Sequence, residues 1–188
     1  TSSAERSTKS IVAGYASVLS GDVGRLLVFV AFIPVLARTV GSAGYGQYAL
    51  VMATFAVLRT LLNVGLFEAI KTHVARTTGA ERRRIVITSF VIQVTILAVA
   101  LPLLGIVITI INLDATLKIS LQLLLISLAG EQLFLFGRGI LHALNSEASV
   151  EWMIAVRSVV LAVVGIGLAA TGYGVLGVFT GFAVAFLL

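Results

Sequence analysis

The chain has 188 residues, of which 59% are hydrophobic and 11% charged, with a mean hydropathy of +1.12 and a net charge of +5. A soluble domain of this length carries about 25% charged residues, too many more for this chain to be one; there is also no cysteine, which excludes disulfides, thiolate metal sites and cysteine nucleophiles. The basic excess does not mark a nucleic-acid binder, because the Lys and Arg residues gather at the ends of apolar segments, as they do where charge fixes membrane topology.

A spanning helix needs about 20 mostly apolar residues, and six segments approach or meet that length. Residues 1–10 are a short polar tail with Arg6 and Lys9, and residues 11–188 follow as a transmembrane lobe. The first segment covers residues 11–36 and ends in Arg38 rather than at a small-residue cleavage site, so it reads as a retained helix. It carries Asp22 and Arg25, three residues apart on one face and able to neutralise each other. The second, residues 45–69, carries Arg59 and Asn63 on one face. Arg59 has no acidic neighbour within its own turn, so its counter-charge must come from another helix or from a ligand.

The third segment, residues 85–111, holds no charge but has Pro102 at its middle, where a kink is expected. The fourth, residues 119–144, is the most polar of the six. At 100° per residue, Ser127, Glu131, Arg138, His142 and Asn145 fall on one stripe, which should line a hydrated cavity or a helix seam. The fifth, residues 153–170, has Arg157 about one turn from its start, close enough to the interface for its head to snorkel, with lining of the cavity as the other reading. The sixth begins at Gly174 and carries Gly177 and Gly181 at a small-xxx-small spacing, a packing signal. The sequence stops at Leu188 inside an apolar run, so the chain is expected to be a fragment, truncated at its C-terminus.

The side of the membrane that receives Arg6, Lys9, Lys71, Arg76, Arg82, Arg83 and Arg84 is far more basic than the side with Arg38 and Lys118. The positive-inside rule therefore places the N-terminus in the cytoplasm of a multi-pass protein of the cell membrane. Ionisable groups inside spanning segments are costly unless they face protein or water, which makes them site candidates. Either Asp22–Arg25 and Glu131–Arg138 are internal ion pairs, or Arg25, Arg59 and Arg138 share a cavity for an anion; arginine suits the second role because its planar fork binds phosphate oxygens in pairs. No phosphate loop, nucleophile elbow or paired catalytic carboxylates appear, and neither His73 nor His142 has metal-ligand company. The chain reads as a non-enzyme with no cofactor.

The run from Arg25 to Arg76 carries Ala37 and Arg38 at the end of helix one, then the loop Val40-Gly41-x-x-x-Tyr45-Gly46. Tyr48 and Ala49 open helix two, and Asn63-x-Gly65-Leu66 stands late in it. Together with the stretch from Phe136 to Asn145, Val156 to Val160 and Gly172 to Gly177, this resembles the N-terminal half of the polysaccharide biosynthesis (Wzx-type) flippases of the multidrug/oligosaccharidyl-lipid/polysaccharide exporter superfamily. The resemblance implies an all-α bundle in which about six helices form one lobe of a two-lobed, 12–14-helix transporter, the C-terminal lobe being absent from this chain. It implies flipping of a lipid-linked oligosaccharide, a polyprenyl phosphate or pyrophosphate sugar, by alternating access through a cationic cavity among membrane lipids. Arg25 and Arg59 match positions of such cavity arginines; Arg138, Asn63, Asp22 and Glu131 complete the substrate-binding expectation. A cation-coupled drug exporter of the same superfamily, which Asp22 and Glu131 would serve, and a non-transporting scaffold or truncation product are the alternatives.

Overall fold

The computed structural model describes residues 3–144 and 147–187, with backbone alone for residues 3–25, 27–29, 147–149 and 151. Among the described residues every element is helical: α1 (Ser3–Asn63), α2 (Leu66–Arg76), α3 (Gly79–Ile110), α4 (Ala115–Ala143), α5 (Glu147–Leu168), a π-helical turn (Ala169–Tyr173) and α6 (Gly174–Leu187). By length and composition alone, three stretches are apolar enough to cross a membrane, namely Gly79–Ile110, Ala115–Ala143 and Trp152–Leu187, the last of which folds back at the π-helical turn. A fourth is added if Val30–Asn63 and Leu66–Arg76, bent by 41°, count as one span.

Breaks fall at Thr77–Thr78, at residues 111–114 and at Gly172, within connections the sequence indicates, but the first connection along the chain is not a loop. Residues 38–46 stay helical except for Gly41, whose φ of 71° and ψ of 178° interrupt α1 at a single residue. The chain folds back there: the Phe32 and Tyr48 rings lie 6.4 Å apart, whereas 16 residues of straight helix would separate them by about 24 Å. A second break falls at Val64 and Gly65, both with positive φ, so the expected segment of residues 45–69 divides into the end of α1 and the start of the shorter α2. The helix α3 continues through Pro102. Gly172 (φ 103°) and Gly174 (φ 54°) reverse the chain between α5 and α6.

The small residues let the helices approach. A Cβ built on Gly181 would lie 2.5 Å from the backbone of Gly165, and one on Gly177 would lie 2.6 Å from that of Leu168 and Ala169. Only glycine permits such an antiparallel contact of α5 with α6. A Cβ on Gly130 of α4 would fall on the Phe186 carbonyl of α6. Aromatic rings fill the space left over: Tyr48 stacks on Phe179 at 5.9 Å, and Phe55 meets Phe186 edge-on at 5.9 Å. Phe32, Leu36, Val51, Leu124, Leu128, Val178 and Phe182 complete this core between α1, α4 and α6.

The helix α3 shows what solvent the bundle fits. It buries Gln93, Leu97 and Ile108, while Ile87, Phe90, Val91, Val99, Leu103, Ile106 and Ile110 are exposed. A water-soluble helix places its polar residue outward; here the amide is inside and the hydrocarbon outside. This is the distribution a bilayer favours, because lipid solvates alkyl groups and disfavours exposed polar ones.

Candidate functional site

Two arginines from other helices, Arg59 and Arg157, converge on Glu131 of α4. Glu131 is 7% exposed, and its carboxylate bridges two helices. Arg59 of α1 reaches Oε1 at 3.1 Å, and Arg157 of α5 donates to Oε2 at 2.8 Å. A lone buried carboxylate would be costly; two guanidinium groups on one carboxylate compensate it and leave a positive charge over. Arg59 thus finds on another helix the counter-charge it lacks in its own, and the carboxylate is shared between two arginines rather than paired with Arg138.

The two arginines stand in different surroundings. The Arg157 side chain is 12% exposed. Its guanidinium carbon lies 4.1 Å from the Phe134 ring centroid and 3.9 Å from that of Phe186, a sandwich that both rings' negative faces stabilise. The expected snorkelling of Arg157 toward the interface does not occur; carboxylate and rings hold it inside. The Arg59 side chain is 45% exposed and lines a cavity of about 530 Å³. The α4 residue next to Glu131, Gln132, donates from Nε2 to the main-chain carbonyl of Arg59 at 3.0 Å, while its own Oε1 is buried without a partner.

That cavity lies where α1 ends and α2 begins, against the second half of α4. Arg59, Asn63, Lys71, Arg138 and His142 line it, with Phe67 and Leu135 among the apolar walls. None of its lining residues is acidic. The break at Val64 and Gly65 is what turns Lys71 of α2 toward the same space as Arg59 of α1. Arg138 donates from Nε to His142 Nε2 at 3.1 Å, one turn further along α4, and His142 meets the Phe67 ring edge-on at 6.3 Å. Arg138 also lines a second cavity of about 310 Å³, with Arg157, Phe134, Met153 and Phe186.

Of the residues singled out from the sequence, Arg59, Asn63 and Arg138 therefore share one cavity, and Glu131 lies behind it as the partner of Arg59. Asp22 and Arg25 belong to α1, but their side chains lie outside the described residues, as does Asn145 at the end of the α4 stripe. Ser127, at the other end of the stripe, is buried and bonds the Leu123 carbonyl of its own helix. Lys71, Arg157 and Gln132 are site residues that helical periodicity alone did not mark. No group of three or more His, Asp or Glu side chains gathers among the described residues to hold a metal.

The charge count decides what the site can hold. Arg59, Lys71, Arg138 and Arg157 supply four cations and Glu131 one carboxylate. Guanidinium groups keep their charge at any physiological pH, so the space between them offers an anion several charge-assisted hydrogen bonds. No family model, curated protein or solved structure matches the chain.

Proposed function

We propose that this chain is one lobe of a transporter that flips a lipid-linked oligosaccharide, with the Arg59–Arg138 cavity receiving the phosphate or pyrophosphate of the polyprenyl carrier. One observation carries the reading: three cations, Arg59, Lys71 and Arg138, line a cavity with no acidic wall in a bundle whose outer surface suits lipid. An excess of cations over the one carboxylate behind them, in an apolar bundle, supports a ligand or ion path. A lipid-anchored anion would place its phosphate in the cavity and its chain among the exposed apolar side chains of the helices.

On this proposal the six apolar segments, with those of a second lobe, surround a central path, and the cavity opens alternately to each side. The basic residues Lys71, Arg76, Arg82, Arg83 and Arg84 put the cavity end of the bundle toward the cytoplasm, where a lipid-linked sugar assembled inside the cell would enter. Arg25 remains a further candidate for the phosphate grip, and no catalytic step is proposed. The drug-exporter alternative would use Glu131 to attract a cation; a carboxylate already bound by two arginines is poorly placed for that.

Photo-crosslinking tests the proposal. A photoreactive residue at Thr60, which lines the cavity, is expected to capture a radiolabelled polyprenyl-pyrophosphate sugar, and one at Ile92, exposed on α3, is not. Equal capture at both positions would contradict it.

A further inference from the structure

The carboxylate of Glu131 is a competitor for any anion that enters the cavity, because it already occupies Arg59 at 3.1 Å. An anion that takes Arg59 must therefore draw it away from Glu131. If Arg59 were the carboxylate's sole partner, that exchange would leave a buried charge uncompensated and would oppose binding. The second partner removes the difficulty. Arg157 holds Oε2 at 2.8 Å, is 12% exposed, and is clamped between Phe134 and Phe186, whereas Arg59 is 45% exposed and faces the cavity. One arginine is fixed and one is able to move.

We propose that Arg157 is a positioning residue for the anion site: by keeping Glu131 compensated, it releases Arg59 to a phosphate-bearing ligand. The inference rests on the reading of the Arg59–Arg138 cavity as an anion site and adds how that site is set. Glu131 holds Arg59 while the cavity is empty, the ligand's phosphate oxygens replace the carboxylate at Arg59, and the Glu131–Arg157 pair persists in both conditions. No bond other than hydrogen bonds is exchanged, and the total charge of the three side chains is unchanged.

The test is the dissociation constant of farnesyl diphosphate for the full chain in lipid nanodiscs. Glu131→Gln removes the competing charge but keeps an oxygen that accepts from Arg157, and is expected to tighten binding about tenfold, the low end of coupling between close charge pairs. Arg157→Gln strengthens the hold of Glu131 on Arg59 and is expected to weaken binding by about the same factor; Arg157→Lys, which keeps the charge, recovers most of it. The double variant Glu131→Gln/Arg157→Gln is expected to bind as tightly as Glu131→Gln alone, because Arg157 then has no carboxylate to hold. Arg157→Gln is expected to keep the helical content and monodispersity of the wild type, which shows that its weak binding is not a folding defect. A double variant as weak as Arg157→Gln, or an Arg157→Gln affinity equal to the wild type, would overturn the proposal. Arg59→Ala separates the two levels: if it binds as the wild type does, the cavity reading itself fails, and if it loses binding while the other variants do not follow this pattern, only the role of Arg157 fails.

Discussion

Gln132 of α4 donates a 3.0 Å hydrogen bond to the main-chain carbonyl of Arg59, while Glu131, the residue before it, holds the same arginine's side chain. Two consecutive residues of one helix thus grip the backbone and the guanidinium of one residue of another. This double contact fixes the depth of α1 against α4 and sets where the Arg59 side chain leaves α1 for the cavity.

The backbone half of that grip should be modest in energy. Gln132→Leu removes the interhelical bond, and with it the buried Oε1 that has no partner, so the loss is expected to be about 0.5–1.5 kcal/mol. Equilibrium unfolding in mixed micelles measures it; a loss several times larger would mean that the amide supports more than this one carbonyl.

The side-chain half should be unequal between its two arginines. Glu131→Ala leaves Arg157 buried without a carboxylate and is expected to cost about 3–5 kcal/mol. Arg59→Ala removes a partner that is 45% exposed, and the expected cost is below about 1 kcal/mol. The combination Glu131→Ala/Arg157→Leu should recover much of the first loss, since neither charge is then left alone. Unfolding of the single and double variants closes the cycle, and equal costs for Glu131→Ala and Arg59→Ala would contradict the assignment.

Packing of α4 on α6 turns on one glycine. A Cβ at Gly130 falls on the Phe186 carbonyl, whereas one at Gly137 meets nothing within 4 Å. Gly130→Ala is expected to destabilise the bundle by about 1–3 kcal/mol through overpacking and to move Phe186 off Arg157. Gly137→Ala should be neutral or slightly stabilising, as alanine favours helix over glycine by about 1 kcal/mol. Thermal unfolding of the two variants gives the comparison.

The fold-back in α1 depends on Gly41. At φ 71° an alanine is strained, and Gly41→Ala is expected to lose about 1–2 kcal/mol. Gly46, five residues on, is helical with open space around its Cα, so Gly46→Ala should not destabilise. A disulfide between cysteines introduced on the two arms of α1 would report the hairpin, forming readily with Gly41 and poorly with alanine.

Much of this was legible in the sequence, and the rest was not for identifiable reasons. Long apolar runs interrupted near Gly41 and Gly172 announce helices and their breaks, because few residues other than glycine accept positive φ. Yet the sequence does not say which glycine bends a helix and which only thins it: Gly65 lies inside an apolar segment that reads as one span, and the structure divides it there. Periodicity put Glu131 and Arg138 on one stripe of α4 and left open whether they pair with each other or Arg138 faces a cavity, since it sees one helix at a time. The actual partners, Arg59 and Arg157, come from α1 and α5, and their meeting depends on interhelical packing. Arg157 read as an interfacial residue from its distance to the segment's start; its position between Phe134 and Phe186 depends on α6 lying close to α4 at Gly130.

On the proposed function, the cationic cavity grips the phosphate of a lipid-linked sugar during transport. The most direct measurement is flipping of a fluorescent polyprenyl-pyrophosphate oligosaccharide in proteoliposomes that contain this chain with its proposed second lobe. Wild-type protein is expected to flip the lipid, and an Arg59→Ala/Arg138→Ala double variant, inserted to the same level, to lose at least about 99% of the rate, as the loss of two charge-assisted contacts of about 1.5–3 kcal/mol each requires. A double variant that flips at the wild-type rate would contradict the account.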